Sequence, residues 1–120
     1  MSSYRELKVW QKSVDLAKDV YELTRLFPKS QQFSLVQQME RSAVSIASNI
    51  AEGSGRNGTQ EFIQYIGIAC GSLYELQTQL IIANKIGFVE KANLDKQINE
   101  TEEISRMLNG LKLSLKQKAA

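Results

Sequence analysis

The sequence has 120 residues, 42% hydrophobic and 23% charged, with a net charge of +2, the profile of one soluble globular domain spanning residues 1–120. It contains no histidine and a single cysteine, Cys70, which excludes Ser-His-Asp and Cys-His nucleophilic sites, His-based metal motifs and an internal disulfide. No apolar run approaches the roughly 18 residues that span a membrane, and the opening MSSYRELKVWQ lacks a signal-peptide core, so a cytoplasmic address and no membrane partner are expected.

The first helix is predicted over residues 4–27. Leu7, Trp10, Val14, Ala17 and Tyr21 recur at steps of three and four, and Leu16, Val20, Leu23 and Phe27 widen the stripe into a core-facing surface. Trp10 and Tyr21 are assigned to that core. Phe27-Pro28 ends the helix, because the residue before proline avoids the α region. Arg5, Lys8 and Lys12 are spaced to share a face and are candidates for phosphate contact, diluted by Asp15 and Asp19. Asp15, Asp19 and Glu22 suggest a cation site, but Lys18 and Arg25 interleave with them, so ion pairing in solvent accounts for them better.

The second helix is predicted over 34–52, opening on the capping box Ser34-Leu35-Val36-Gln37, in which the serine and glutamine side chains satisfy backbone N–H groups reciprocally. Val36, Met39, Ala43, Ile46 and Ile50 mark its buried face. Gln38, Arg41, Ser45 and Glu52, with Asn49, form a polar row away from it.

The next stretch, Gly53-Ser-Gly-Arg-Asn-Gly-Thr59, has the glycine spacing of a dinucleotide-binding loop. That fingerprint requires a preceding strand, whereas here a helix precedes, and a phosphate-binding loop would need lysine where Thr59 stands. A helix–helix corner fits better: Gly53 ends the second helix in the left-handed conformation, Gly55 and Gly58 turn the chain, and Asn57 or Thr59 caps the third helix.

That third helix is predicted over 59–86. Phe62, Ile66, Ala69, Leu73, Leu76, Leu80 and Ala83 repeat at four and three without a miss. Ile63, Ile68, Ile81, Ile82 and Ile86 lie off that row. A helix apolar on more than one face calls for more than one partner. Gly67 and Gly71, one turn apart, would let another helix approach. Gly87 is placed as its cap, with Lys85 complementing the dipole. The fourth helix is predicted over 93–117 on Leu94, Ile98, Ile104, Leu108, Leu111 and Leu115, and ends in the basic Lys112, Lys116 and Lys118. Four helices with short connections predict an all-α, antiparallel up-down-up-down four-helix bundle.

Arg41-SAVSIASNIAEGSG-Arg56, continuing to Glu61-Phe62 and Ile68-ACGSLY-Glu75, is a distinctive run, flanked by Glu6-LKV-Trp10 and Ile104-SRML-Asn109. It resembles the four-helix-bundle proteins encoded by intervening sequences in bacterial 23S rRNA genes, also labelled S23 ribosomal proteins. The motif positions here are Gln38, Arg41, Ser45, Asn49, Glu52, Gly53, Gly55, Arg56, Glu61, Phe62, Gly71, Ser72 and Glu75. Ala47 stands where that family often has proline, and Cys70 where a larger basic residue is common. The resemblance implies a ring-like homopentamer; no cofactor is expected. An accessory protein of diversity-generating retroelements shares the architecture and binds nucleic acid, which by analogy suggests RNA or DNA as a partner.

Three functions are compatible with these features. The first, favoured by the apolar third helix, is a non-enzymatic self-assembling protein with a helix-corner or subunit-interface role for the motif residues. The second is an RNA- or DNA-binding accessory protein acting through Arg5, Lys8, Lys12, Lys112, Lys116 and Lys118 on a basic oligomer surface. The third is a histidine-free, carboxylate-dependent enzyme using Arg41, Asn49, Glu52 and Arg56, joined by Glu61 and Glu75; mutual pairing of these groups is the better account of them.

Overall fold

The computed structural model describes residues 3–119, which are helical and carry no strand. Four helices, α1 (Lys8–Thr24), α2 (Gln37–Ser54), α3 (Thr59–Lys85) and α4 (Lys91–Ala119), form a bundle measuring 48 × 22 × 20 Å. This is the all-α architecture that the apolar periodicities predict. Side-chain bonds fix how neighbours run. Asn84 and Gln77 of α3 meet Val89 and Thr101 respectively, so numbering rises on one partner as it falls on the other. The same holds for α2 and α3, where Ser45 meets Ser72 and Gly53 meets Tyr65.

The first helix starts later than predicted. Tyr4–Glu6 form a separate 3-10 turn, capped by the Ser3 hydroxyl, which accepts the Arg5 N–H at 3.0 Å. Leu7 is extended (φ −70°, ψ 121°) and breaks the path into α1. Arg5 therefore does not lie on the helix that carries Lys8 and Lys12.

The capping box does not form. Lys29–Gln31 make a 3-10 turn and Gln32–Val36 a π-helical turn that runs directly into α2. Ser34 lies inside this wide turn, and its hydroxyl is bonded to the Gln31 side chain at 3.2 Å. With helical backbone already preceding α2, no orphan N–H awaits a side-chain cap at that point. The corner after α2 also differs from expectation. Gly53 is helical, and Gly58 is the N-cap of α3 with no side-chain cap bond. The one residue with positive φ among those described is Gly87 (φ 91°), which closes α3 as its position predicts.

The core takes the second apolar row of α1. Val9, Leu16, Val20, Leu23 and Phe27 are buried, together with Ser13. The serine is accommodated because its hydroxyl donates to the Val9 carbonyl at 2.7 Å, and a buried hydroxyl must find such a partner. Tyr21, expected in the core, is 41% exposed. The predicted buried residues of α2 and α3 are in place, with Phe62 half-buried at the edge. Ile104 and Leu108 are the centre of the α4 contribution.

Candidate functional site

The polar row of α2 reaches its partners along the seam with α3. The Ser72 hydroxyl donates to Ser45 Oγ at 2.9 Å, and Asn49 Nδ2 donates to the same oxygen at 2.9 Å and to the Ser45 carbonyl at 2.8 Å. One turn further on, Gly53 is buried against α3, and a methyl group at its Cα would fall 2.5 Å from Tyr65 Cβ and 3.0 Å from Phe62 Cδ1. The glycine is required by close helix approach, not by a left-handed cap.

At the corner, Arg56 Nη2 donates to Glu52 Oε1 and, at 2.8 Å, to the Tyr65 hydroxyl. The guanidinium also stands 5.2 Å from the Tyr65 ring centre, within cation–π range. The Glu52 hydrogen bond, reinforced by Tyr65, holds the Arg56 proton more tightly than usual. Tyr65 was not singled out from sequence. The signal was its position nine residues after Arg56, which becomes informative only once the corner's geometry is known. Asn49, Glu52 and Arg56 are thus bonded to their neighbours along the seam and the corner.

Gln38, Arg41, Glu61 and Glu75 remain on the surface. Arg41, Glu61 and Glu75 have no ion-pair partner among the described residues. Arg41 lies outside the Glu52–Arg56–Tyr65 cluster, so the four-residue group considered for catalysis does not converge. Arg41 instead lines a groove between α1 and α2 with Tyr21 and Val44. Glu75 lines a second groove with Gly71, Tyr74 and Ile82.

The outer side of α3 is apolar. Ile68, Tyr74, Ile81, Ile82 and Ile86 are between 43% and 53% exposed, a cluster too large to be scattered surface residues. Gly67 and Gly71 lie on the same exposed side, and nothing in the chain comes within 4 Å of where their side chains would be. The close approach predicted for them is not made within the bundle.

Lys12 of α1 meets Glu103 of α4, while Glu22 shares a hollow with Asn93 and Lys96, so these two helices run in opposite directions, and α1 begins and α4 finishes at one end of the bundle. Arg5, Lys8, Lys112, Lys116 and Lys118 belong to that end, and none has an ion-pair partner among the described residues. Lys12 is different: its ammonium pairs with Glu103 of α4 at 2.9 Å, which raises its pKa. It sits in a hollow between α1 and α4 beside Asp15, Asp19 and Glu100. Burial pushes the Glu100 carboxyl above its ordinary range, and Asp19 pushes it further. Glu22 pairs with Lys18 at 3.9 Å, and no group of three or more acidic or thiol side chains among the described residues is arranged to hold a metal ion. Cys70 is a buried free thiol whose pKa is raised by that burial. No described helix is long and apolar enough to cross a membrane.

Residues 5–110 match the family of 23S rRNA-intervening sequence proteins. Among solved structures, a protein of unknown function from the S23 ribosomal protein family of Bacteroides thetaiotaomicron superposes with a TM-score of 0.81 at 24% identity, over 87% of this chain and 97% of that one. At that identity the likeness shows a shared fold. No curated protein matches the sequence.

Proposed function

The chain belongs to the 23S rRNA-intervening sequence protein family, and from that premise we propose that it acts without catalysis, as a self-assembling helical bundle in the cytoplasm. The carrying observation is the exposed apolar side of α3, where five large residues and two unoccupied glycine positions coincide. Covering such a face removes apolar area from water at about 25 cal/mol per Å², and identical chains most often do so with closed symmetry. The family resemblance favours a ring of five. Light scattering after gel filtration, at micromolar chain concentration, is expected to give a multiple of the 13.5 kDa chain mass, five for such a ring. A monomer throughout the range would overturn the reading.

A second reading rests on the basic end. Arg5, Lys8, Lys112, Lys116 and Lys118 share that end with the acids Glu6 and Glu61, leaving this set net positive. In an assembly this end is repeated, so modest phosphate contacts would add through avidity. Fluorescence anisotropy with labelled RNA and DNA oligonucleotides should show binding that weakens steeply as salt rises. No binding at low salt, or a salt-independent affinity, would remove this reading and leave the first intact.

A further inference from the structure

The two apolar grooves each present one exposed charged side chain, of opposite sign, at one level of the bundle. The Ser45–Ser72 hydrogen bond, 2.9 Å long, ties α2 to α3 at a fixed height. Arg41 lies about one turn before Ser45, and Glu75 about one turn after Ser72. The helices are antiparallel, so both displacements run the same way along the bundle. Arg41 and Glu75 therefore stand at the same height, each in its own groove: Arg41 with Tyr21 and Val44, Glu75 with Gly71, Tyr74 and Ile82. Neither has an ion-pair partner among the described residues. Glu40, the acid next to Arg41 in the first groove, is half-buried and directs its carboxylate to Thr24 of α1, whose hydroxyl it accepts at 2.8 Å, so Arg41 is the exposed charge of that groove.

We infer that α3 of one copy seats in the α1–α2 groove of a second copy, with Glu75 of the first pairing to Arg41 of the second. This rests on the self-assembly reading and names its interface. Two features of the surface select a second copy as the occupant. The grooves are complementary in charge while both are apolar in lining, and the partner surface for each is supplied by the other. Equal height matters as well. In a ring whose axis runs along the bundles, a head-to-tail contact closes only if its two halves meet without a step along that axis; a difference in height would build a helical filament. Gly71, open on this side, lets the neighbouring backbone approach where a side chain would hold it off.

The experiment is a charge exchange read by sedimentation velocity and light scattering, with circular dichroism as a check on folding. Wild-type protein is expected to associate. Arg41→Glu and Glu75→Arg, each facing a like charge across the contact, should weaken association by about tenfold or more. The double variant should recover it. Mixing the two single variants should recover it in part, because each supplies the charge that the other lacks, while alternation around a ring of five leaves one contact between like charges. Both sites are exposed, so folded single variants are expected. If wild type associates and both single variants keep its mass, the interface is wrong while self-assembly stands. A monomeric wild type would overturn both together. Failure of both the double variant and the mixture to recover association would overturn the pairing.

Discussion

Gly53 and Tyr65 touch across the α2–α3 contact: a Cβ added to Gly53 would lie 2.5 Å from the Cβ of Tyr65. That atom is fixed to the α3 backbone and cannot swing aside. Gly53→Ala would gain up to about 1 kcal/mol of helix propensity and incur an overpacking cost of about 1–3 kcal/mol. A net loss is expected, read as a lower midpoint in urea at unchanged m-value. An increase in stability would mean that the helices part easily here.

Thr101 is buried in the middle of α4, where its hydroxyl accepts from Gln77 Nε2 at 2.9 Å and donates to the Ile98 carbonyl at 2.7 Å. Thr101→Val keeps the shape and strands the Gln77 amide at the α3–α4 contact. A loss of about 1–2 kcal/mol is expected, while the paired change Thr101→Val with Gln77→Leu should recover part of it. Additive losses in that double-mutant cycle would show that the bond contributes little.

The hollow between α1 and α4 makes stability depend on pH. The Glu100 pKa is raised by burial and by Asp19, with Lys96 and Lys12 opposing more weakly. A carboxyl with a raised folded-state pKa binds its proton more tightly in the folded chain. Its contribution is then fully favourable below the ordinary value of 4.5 and is lost as pH rises through the folded-state value. Glu100→Gln should therefore raise the thermal midpoint at pH 7 and leave it nearly unchanged at pH 4. Asp19→Asn should act in the same direction. A larger gain at pH 4 than at pH 7 would contradict the assignment.

Cys70 packs inside the α3 side of the core, where burial disfavours its thiolate. Alkylation by iodoacetamide at pH 8 should be more than about tenfold slower in native protein than in guanidinium, since the thiolate is the reactive form. Equal rates would place the thiol at the surface.

Most of the fold was legible because its signals are periodic and local. The row from Ile66 to Ala83 in α3 is buried as its spacing requires. The errors arise where tertiary contact overrides local rules. The Ser34–Gln37 box is a sound local signature, but a helical turn already occupies the space before it. In α1 two apolar rows compete, and Ser13 decides between them by bonding the backbone and entering the core, which hydropathy alone scores as surface. The candidate site was legible as a set of residues and not as an arrangement. Lys12 looked like its basic neighbours until Glu103, 91 positions away, proved to be its partner. Gly53 signalled a turn, while its actual constraint is Tyr65 on the next helix.

The wide turn at Gln32–Val36 also bears on how the chain tolerates a change of length. A π-helical turn holds one residue more than an α turn, and Phe33 within it is 83% exposed. Deleting that residue would narrow the turn to an ordinary α turn and leave the start of α2 in place. Every face from Met39 onward would keep its direction. A deletion inside α2 or α3 would instead rotate the rest of that helix by about 100° and turn its core face outward. The π turn is therefore a seam at which the sequence can lose a residue without losing its register.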